Sequence, residues 1–531
     1  MKFSSSFHFP VTLVMLFCFT VVFAQPDPRV EWVNSQKLIK EGVRYHDDEQ
    51  YDKAIARYKK IHRSDSLYSL ALYELSFSYI QNKQYEEALA AAREGLALQD
   101  DNENLFYLQV AEALDELERR EEAIAVYDEA IKKYPYWHRP RYEKGVTLER
   151  LHRDLEAVES FQQAVRLNPL HALSHYQLGR ISAENDKISM AFLSLQFYLF
   201  LKGSDAAAGP GIELLQKVAQ RTLEVDPDSI VEISSHGNDF KDLDRLLAAK
   251  IALNKEYKSQ IKLSYDMVKQ LQLFYEKLEY KENDKGFWMQ FYVPYFIMIR
   301  DKGYYEPFVF HIMSAIDNKQ VQAGVKKNKK KIGAMITTLG TKLINDRSEG
   351  PEGVESPFSG YKHFYNDDGT LSAAGETKTV AGEENSVGEW YYFYSHGTIR
   401  SKGKWNDASE RTGEWTFYYT TGGIHEKLSY KEGKPHGAYV SYYPNGALEQ
   451  KLTYEEGEVE GEVQNYYPVD QLESLITFKD NERNGKYISY YSNGRIWVDA
   501  NYKNGELDGP GKTYYNTGQL MTEFSYKENN M

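Results

Sequence analysis

Small and apolar positions recur in the first part of the chain every 34 or 35 residues. Ala54, Ala88, Ala123, Ala157 and Ala191 form one series, in the contexts YDKAIARY, YEEALAAA, REEAIAVY, DLEAVESF and ISMAFLSL. Twelve positions before each stands another small residue: Gly42, Ser76, Ala111, Gly145 and Gly179. That spacing predicts pairs of helices that approach closely at their small residues. Tyr58, Tyr127 and Phe161, four positions after the alanine, fill the gap between pairs. Pro135 and Pro169 stand where the second helix of a pair must stop. Five pairs are expected between Ser35 and about Leu201.

The last third follows a different pattern. Gly388, Gly413, Gly437, Gly461, Gly485 and Gly509 stand 24 or 25 residues apart, and they open phrases such as GEWTFYYTTGGI and GKYISYYSNGRI. Apolar and polar residues alternate in the later half of each unit, as in Leu448, Leu452 and Tyr454 against Glu449, Lys451 and Thr453. Period two with one wet face predicts a half-buried antiparallel strand, and the aromatic phrase before it supplies a partner strand. Pro444-Asn445-Gly446 and Lys431-Glu432-Gly433-Lys434 have turn chemistry. About fourteen strands in seven hairpins are expected, counting a weaker first unit from Gly360 to Leu371. Tyr394, Tyr419, Tyr443, Tyr467, Tyr491 and Tyr515 form one tyrosine column, and Tyr418, Tyr442, Tyr466, Tyr490 and Tyr514 the next. If both lie on strands, one column is buried and the other exposed.

Between the two arrays, GSDAAAGPG (Gly203 to Gly211) reads as a turn or linker, followed by helical spacing over Ile212–Val225 and Leu243–Tyr280. The segment GFWMQFYVPYFIMI (Gly286 to Ile299) is too short to span a membrane and is broken by Pro294, so a buried helix or helix pair is expected. KKNKKK (Lys326 to Lys331) reads as a solvated basic face, and RSEGPEGVESP (Arg347 to Pro357) as a linker.

The first array resembles the tetratricopeptide repeat (TPR), and the second the MORN repeat in its aromatic-rich bacterial variant. Asp470 departs from the second pattern where other units have a turn glycine, and Gly511 does so where others have an aromatic residue. The fold class implied is multidomain α+β: an all-α solenoid, a helical middle region and a β-hairpin sheet. The expected organisation is a signal peptide at 1–24, the solenoid at 25–202, a helical extension at 203–346, a linker at 347–357 and the hairpin array at 358–531. The TPR resemblance implies a groove for peptide or protein segments. Its groove positions map to Ile39 and Val43, Tyr73 and Phe77, Leu108 and Glu112, Tyr142 and Val146, and Tyr176 and Arg180. The expected protein-binding set is Tyr73, Phe77, Glu112, Tyr142, Val146, Tyr176 and Arg180. Aliphatics and tyrosines there, in place of Lys and Asn, disfavour a carboxylate clamp and suit an apolar or extended peptide, or the chain's own neighbouring segment.

The run VTLVMLFCFTVVF ahead of Ala24, with Lys2 as the one charge before it, predicts a secretory signal and a periplasmic or extracellular protein. Cys18, the only cysteine, would leave with it, so stability must come from packing. Net charge is −14, which argues against nucleic-acid partners. The 13 histidines show no ligand spacing, and no nucleophile or zinc motif occurs. Neither catalysis nor a cofactor is expected. The reading is an exported scaffold for protein partners. Its alternatives are an envelope-associated module that binds glycan, polymer or lipid through the tyrosine-rich sheet and, by resemblance alone, an immunity or antitoxin-like protein.

Overall fold

The computed structural model describes residues 34–100, 102–221, 240–348, 358–380 and 382–527. The expected signal peptide and most of the expected linker lie outside them. Five helix pairs follow one another: α1 (Ser35–Asp47) and α2 (Tyr51–Tyr58), then α3 (Tyr68–Gln81) and α4 (Tyr85–Leu98), then α5 (Glu103–Glu116) and α6 (Arg120–Lys133). The last two pairs are α7 (His138–Arg150) with α8 (Asp154–Leu167), and α9 (Ala172–Glu184) with α10 (Ile188–Lys202).

The periodic alanines are all fully buried, and the small residues upstream have no room to grow. A Cβ on Gly42 would lie 2.3 Å from the Tyr58 ring, and one on Gly145 would lie 2.6 Å from Phe161. The turn inside each pair holds a residue at positive φ: Glu49, Lys83, Glu118, His152 and Asp186. No glycine announces these turns; the 34-residue beat sets them through the packing on either side.

Six further helices follow: α11 (Gly209–Gln220), α12 (Lys241–Ala248), α13 (Asp266–Lys277), α14 (Val293–Asp301), α15 (Tyr305–Ile312) and α16 (Lys319–Arg347). The apolar segment before Arg300 is buried, with Tyr292, Val293, Phe296 and Ile299 at 1% exposure or less. A π-turn over Trp288–Tyr292 leads into α14, where Val293 N–H bonds to the Trp288 carbonyl five residues back. These helices pack chiefly on the last pair. His175, fully buried on α9, meets the Tyr292 hydroxyl through Nδ1 at 2.6 Å and the Pro169 carbonyl through Nε2 at 2.9 Å.

The sheet is one meander in which each strand pairs with its chain neighbours. It has fifteen strands, since Asp508 splits one of the expected fourteen into Glu506–Leu507 and Gly509–Tyr514. The two-residue turns at Glu432-Gly433 and Asn504-Gly505 hold positive φ at both positions, which suits the twist of a tight hairpin. The six opening glycines also have positive φ. They lie beside register shifts such as those between Leu428 and Tyr430 and between Ile476 and Phe478. The recurring glycine therefore serves a bulge in each unit, a conformation that a side chain would strain. One face carries a chain of cross-strand apolar pairs, Trp415–Leu428–Tyr439–Leu452 and Val463–Ile476–Tyr487–Ala500. Where the partner is glycine the ring lies on bare backbone: Trp415 over Gly403 and Phe524 over Gly511. That accounts for the missing aromatic at Gly511.

The two arrays touch. Tyr136, in the turn after α6, and Leu167, the last residue of α8, pack with Phe358, just ahead of the first strand, and with Leu371, Ala374 and Phe393 of the first hairpins. Arg347, the last residue of α16, donates through Nη2 to the carbonyls of Leu167 and Gly369, both at 2.8 Å, and its guanidinium lies 3.5 Å from the centre of the Tyr365 ring. Asn168 Nδ2 donates to the Asp368 carbonyl at 3.0 Å. Beside this junction the rings of His138 and His171 meet at a tilt, with their centres 4.8 Å apart.

Candidate functional site

The groove positions named from the sequence lie on the first helix of each pair, and neighbouring pairs bring them together. Phe77 stacks on His46 at 4.6 Å. Tyr73 meets Phe106 edge-on at 6.3 Å, and its carbonyl accepts from Gln109 Nε2. Tyr142 packs on Phe161 and on His171, while Tyr176 leans against Tyr198 at 5.2 Å. Arg180 binds Glu149 and Glu184. Val146, like Tyr142 and Tyr176, packs against the large core shared with the middle helices. All seven are half-buried. The contacts described for Tyr73, Phe77 and Glu112 lie within the helical array. The middle helices cover the last pair instead.

Glu112 faces Glu143 and Glu116, with Arg139 and Arg150 close enough to act on it. Burial, then those two carboxylates, pushes its carboxyl up to about 7, while the arginines pull it back. Burial also raises Glu143 and Glu74. Arg139, Glu143 and Glu74 were not among the positions expected from the sequence. A signal for Arg139 was present in the sequence, since the same register holds Leu70, Leu105 and Leu173 in other copies, whereas the register of Glu143 is polar in every copy and gave none.

The tyrosine columns do not divide into a buried and an exposed face, as the period-two reading expected. Strands end at Tyr418, Tyr442, Tyr466 and Tyr490, so the next tyrosine of each pair belongs to the turn. Members of both columns are half-buried, and Tyr515 alone is exposed. Tyr394, Tyr419, Tyr443, Tyr467 and Tyr491 each donate from the hydroxyl to a backbone carbonyl of the next unit, at Tyr418, Tyr442, Tyr466, Tyr490 and Tyr514, over 2.7 to 2.9 Å. The column is a ladder of inter-unit hydrogen bonds.

Among the described residues no group of three or more His, Cys, Asp or Glu could hold a metal ion, and no helix is long and apolar enough to cross a membrane.

The MORN repeat variant model matches residues 411–432, 435–456, 483–504 and 507–528, and the tetratricopeptide repeat model matches 106–135. The unit with Asp470 falls between matched segments, yet it forms the same hairpin from Glu458–Tyr466 and Leu472–Lys479. No curated protein sequence matches the chain. Among solved structures, MamA is 16% identical over 34% of this chain and 96% of its own, with a TM-score of 0.25. YrrB, described as a TPR protein with an unusual peptide-binding site, is 20% identical over 32% and 87%, with a TM-score of 0.25. PilF of Pseudomonas aeruginosa is 18% identical over 41% and 89%, with a TM-score of 0.31. Both repeat types expected from the sequence are present: TPR-like helices and MORN-type hairpins. Such repeats suggest a protein-interaction scaffold, and no catalytic family is indicated.

Proposed function

We propose that this protein is an exported, non-catalytic scaffold that holds a protein or peptide partner along the inner helical face. The observation that carries this reading is the ridge of Tyr73, Glu112, Tyr142 and Arg180. It mixes aromatic rings and charged groups along successive first helices and is half-buried by neighbouring repeats. Rings of this kind give contact area at low entropic cost, and flanking charges select the partner. Export is supported by the apolar run before Ala24. The sheet is the scaffold's second arm, fixed to the first at the turns after α6 and α8.

The alternative, glycan or lipid binding through the tyrosine column, is weakened by the ladder, because the hydroxyls that would meet a ligand already bind backbone carbonyls. The full chain and a Tyr73→Ala, Glu112→Lys, Tyr142→Ala variant serve as bait against the exported proteins of the source cells. The variant is expected to lose the partner that the parent captures, with its melting curve kept. Undiminished capture by a folded variant would sink the groove reading.

A further inference from the structure

A cleft of about 680 Å³, lined by none of the groove positions, runs along α14 and α16. Its floor is apolar, formed by Phe291, Pro294, Ile297 and Met298 from the π-turn and α14, with Leu343 of α16 facing them. From Phe291 to Lys302 the floor runs roughly 16 Å by helix rise, the length of about five extended residues. Such a volume falls in the range of sites that seat peptides and small ligands. A π-turn entering the wall of a cleft is a further mark of a functional position.

The charges around the cleft are unequal. Its two acidic side chains are satisfied internally: Asp301 by Arg300 at 2.8 Å, and Asp346 by the Tyr295 hydroxyl at 2.9 Å and Lys342 at 3.0 Å. Lys302 at the far end has no acidic partner among the described residues. The basic run belongs to the exposed side of α16, and of its five lysines Lys327 alone has such a partner, Glu306 at 3.5 Å. At 100° per residue, Lys327, Lys331 and Lys342 fall within about 60° of one another around the helix. The stripe they form leads toward the cleft, with Lys327 and Lys342 paired to Glu306 and Asp346 and Lys331 without an acidic partner among the described residues, on a chain whose net charge is −14. One large aromatic side chain of the cleft lining, Tyr280, stands 44% exposed.

We propose that the α14–α16 cleft and the basic face of α16 dock an acidic, extended peptide segment of a partner protein that seats one or two bulky apolar side chains on the Pro294–Met298 floor. The proposal uses none of the groove positions, although Arg166 of α8 and Pro169 after it also line this cleft. The concave floor favours a peptide over a lipid surface, since a bilayer cannot enter a cleft between two helices.

The test uses the full chain and a fluorescein-labelled octapeptide of alternating glutamate and leucine, read by anisotropy against the same peptide with glutamine for glutamate. The glutamate peptide is expected to bind about tenfold tighter, and its affinity to fall as salt rises. Lys302→Glu with Lys331→Glu is expected to cost about tenfold, and Met298→Asp to weaken the glutamate peptide as well. If the charge reversal disturbs the melting curve, Lys302→Gln with Lys331→Gln replaces it. Equal binding of the two peptides, or unchanged affinity in a folded charge variant, overturns the proposal. So does sedimentation of the protein with phosphatidylglycerol vesicles without peptide binding, which would assign the stripe to membranes.

Discussion

At the residue scale, the sheet's regularity rests on a tyrosine that reaches forward. Tyr443 donates to the Tyr466 carbonyl at 2.8 Å and ties the turn end of one unit to the next. Removing that hydroxyl leaves a partly buried carbonyl without its donor, so Tyr443→Phe is expected to cost about 1 kcal/mol. Tyr515→Phe, at an exposed position with no hydroxyl partner among the described residues, is expected to cost almost nothing. Calorimetric unfolding of the two variants makes the comparison. The column itself is legible in the sequence, but its bond is not, because the acceptor is a backbone atom 23 or 24 residues away. Strand alternation also misled there: Tyr419 follows the last residue of its strand and takes its direction from the turn.

Elements show where pattern suffices and where it stops. Helix pairs follow from small residues in fixed register, since Gly42 and Gly145 leave space only for the rings that fill it. The opening glycines mark units plainly, yet their reason, a bulge at positive φ, emerges only once strand register is known. Gly437 sits at φ 95° in such a bulge. Gly437→Val is expected to cost about 1–3 kcal/mol and to loosen its hairpin first. Hydrogen exchange of the Leu448–Glu455 strand amides would measure both effects, and protection equal to the parent's would contradict the bulge account. Asp470 shows the tolerance of the plan: at φ 58° it keeps the turn that glycine makes elsewhere, and its Oδ1 accepts from Leu448 N–H at 2.7 Å. The burial of the segment around Pro294 is legible from its apolarity, but the π-turn before it is not, because no composition signals a bond five residues back.

Across the whole molecule, the decisive contact is the one that sequence periodicity could not reveal. Two arrays with separate periods meet through particular residues: Tyr136 and Leu167 on one side, Phe358 and Phe393 on the other, with Arg347 between. His138 and His171 lie beside that contact, and burial holds them down at about 3 and about 4; Arg139 adds to this at both, and Asp368 opposes it at His138. A histidine whose folded value is depressed stabilises the closed arrangement fully above its free value of about 6.5 and loses that contribution as pH falls toward 4. Amide exchange at Gly369–Leu371 is therefore expected to accelerate between pH 6.5 and 4, and less steeply in a His138→Phe, His171→Phe variant. An unchanged pH profile in that variant would remove the histidines from the account. The histidines were visible in the sequence only as scattered residues, since nothing in their spacing placed two helix starts beside a distant β-turn.

The anchorage of the sheet has a consequence for reach. Its first hairpins grip the turns after α6 and α8, whereas each later hairpin holds only the neighbours beside it. Duplicating a 24-residue unit beyond Gly437 would lengthen the blade by roughly 10 Å, two strand spacings, without touching its hilt. Copy number alone could then set how far this arm extends, leaving the fastening residues unchanged.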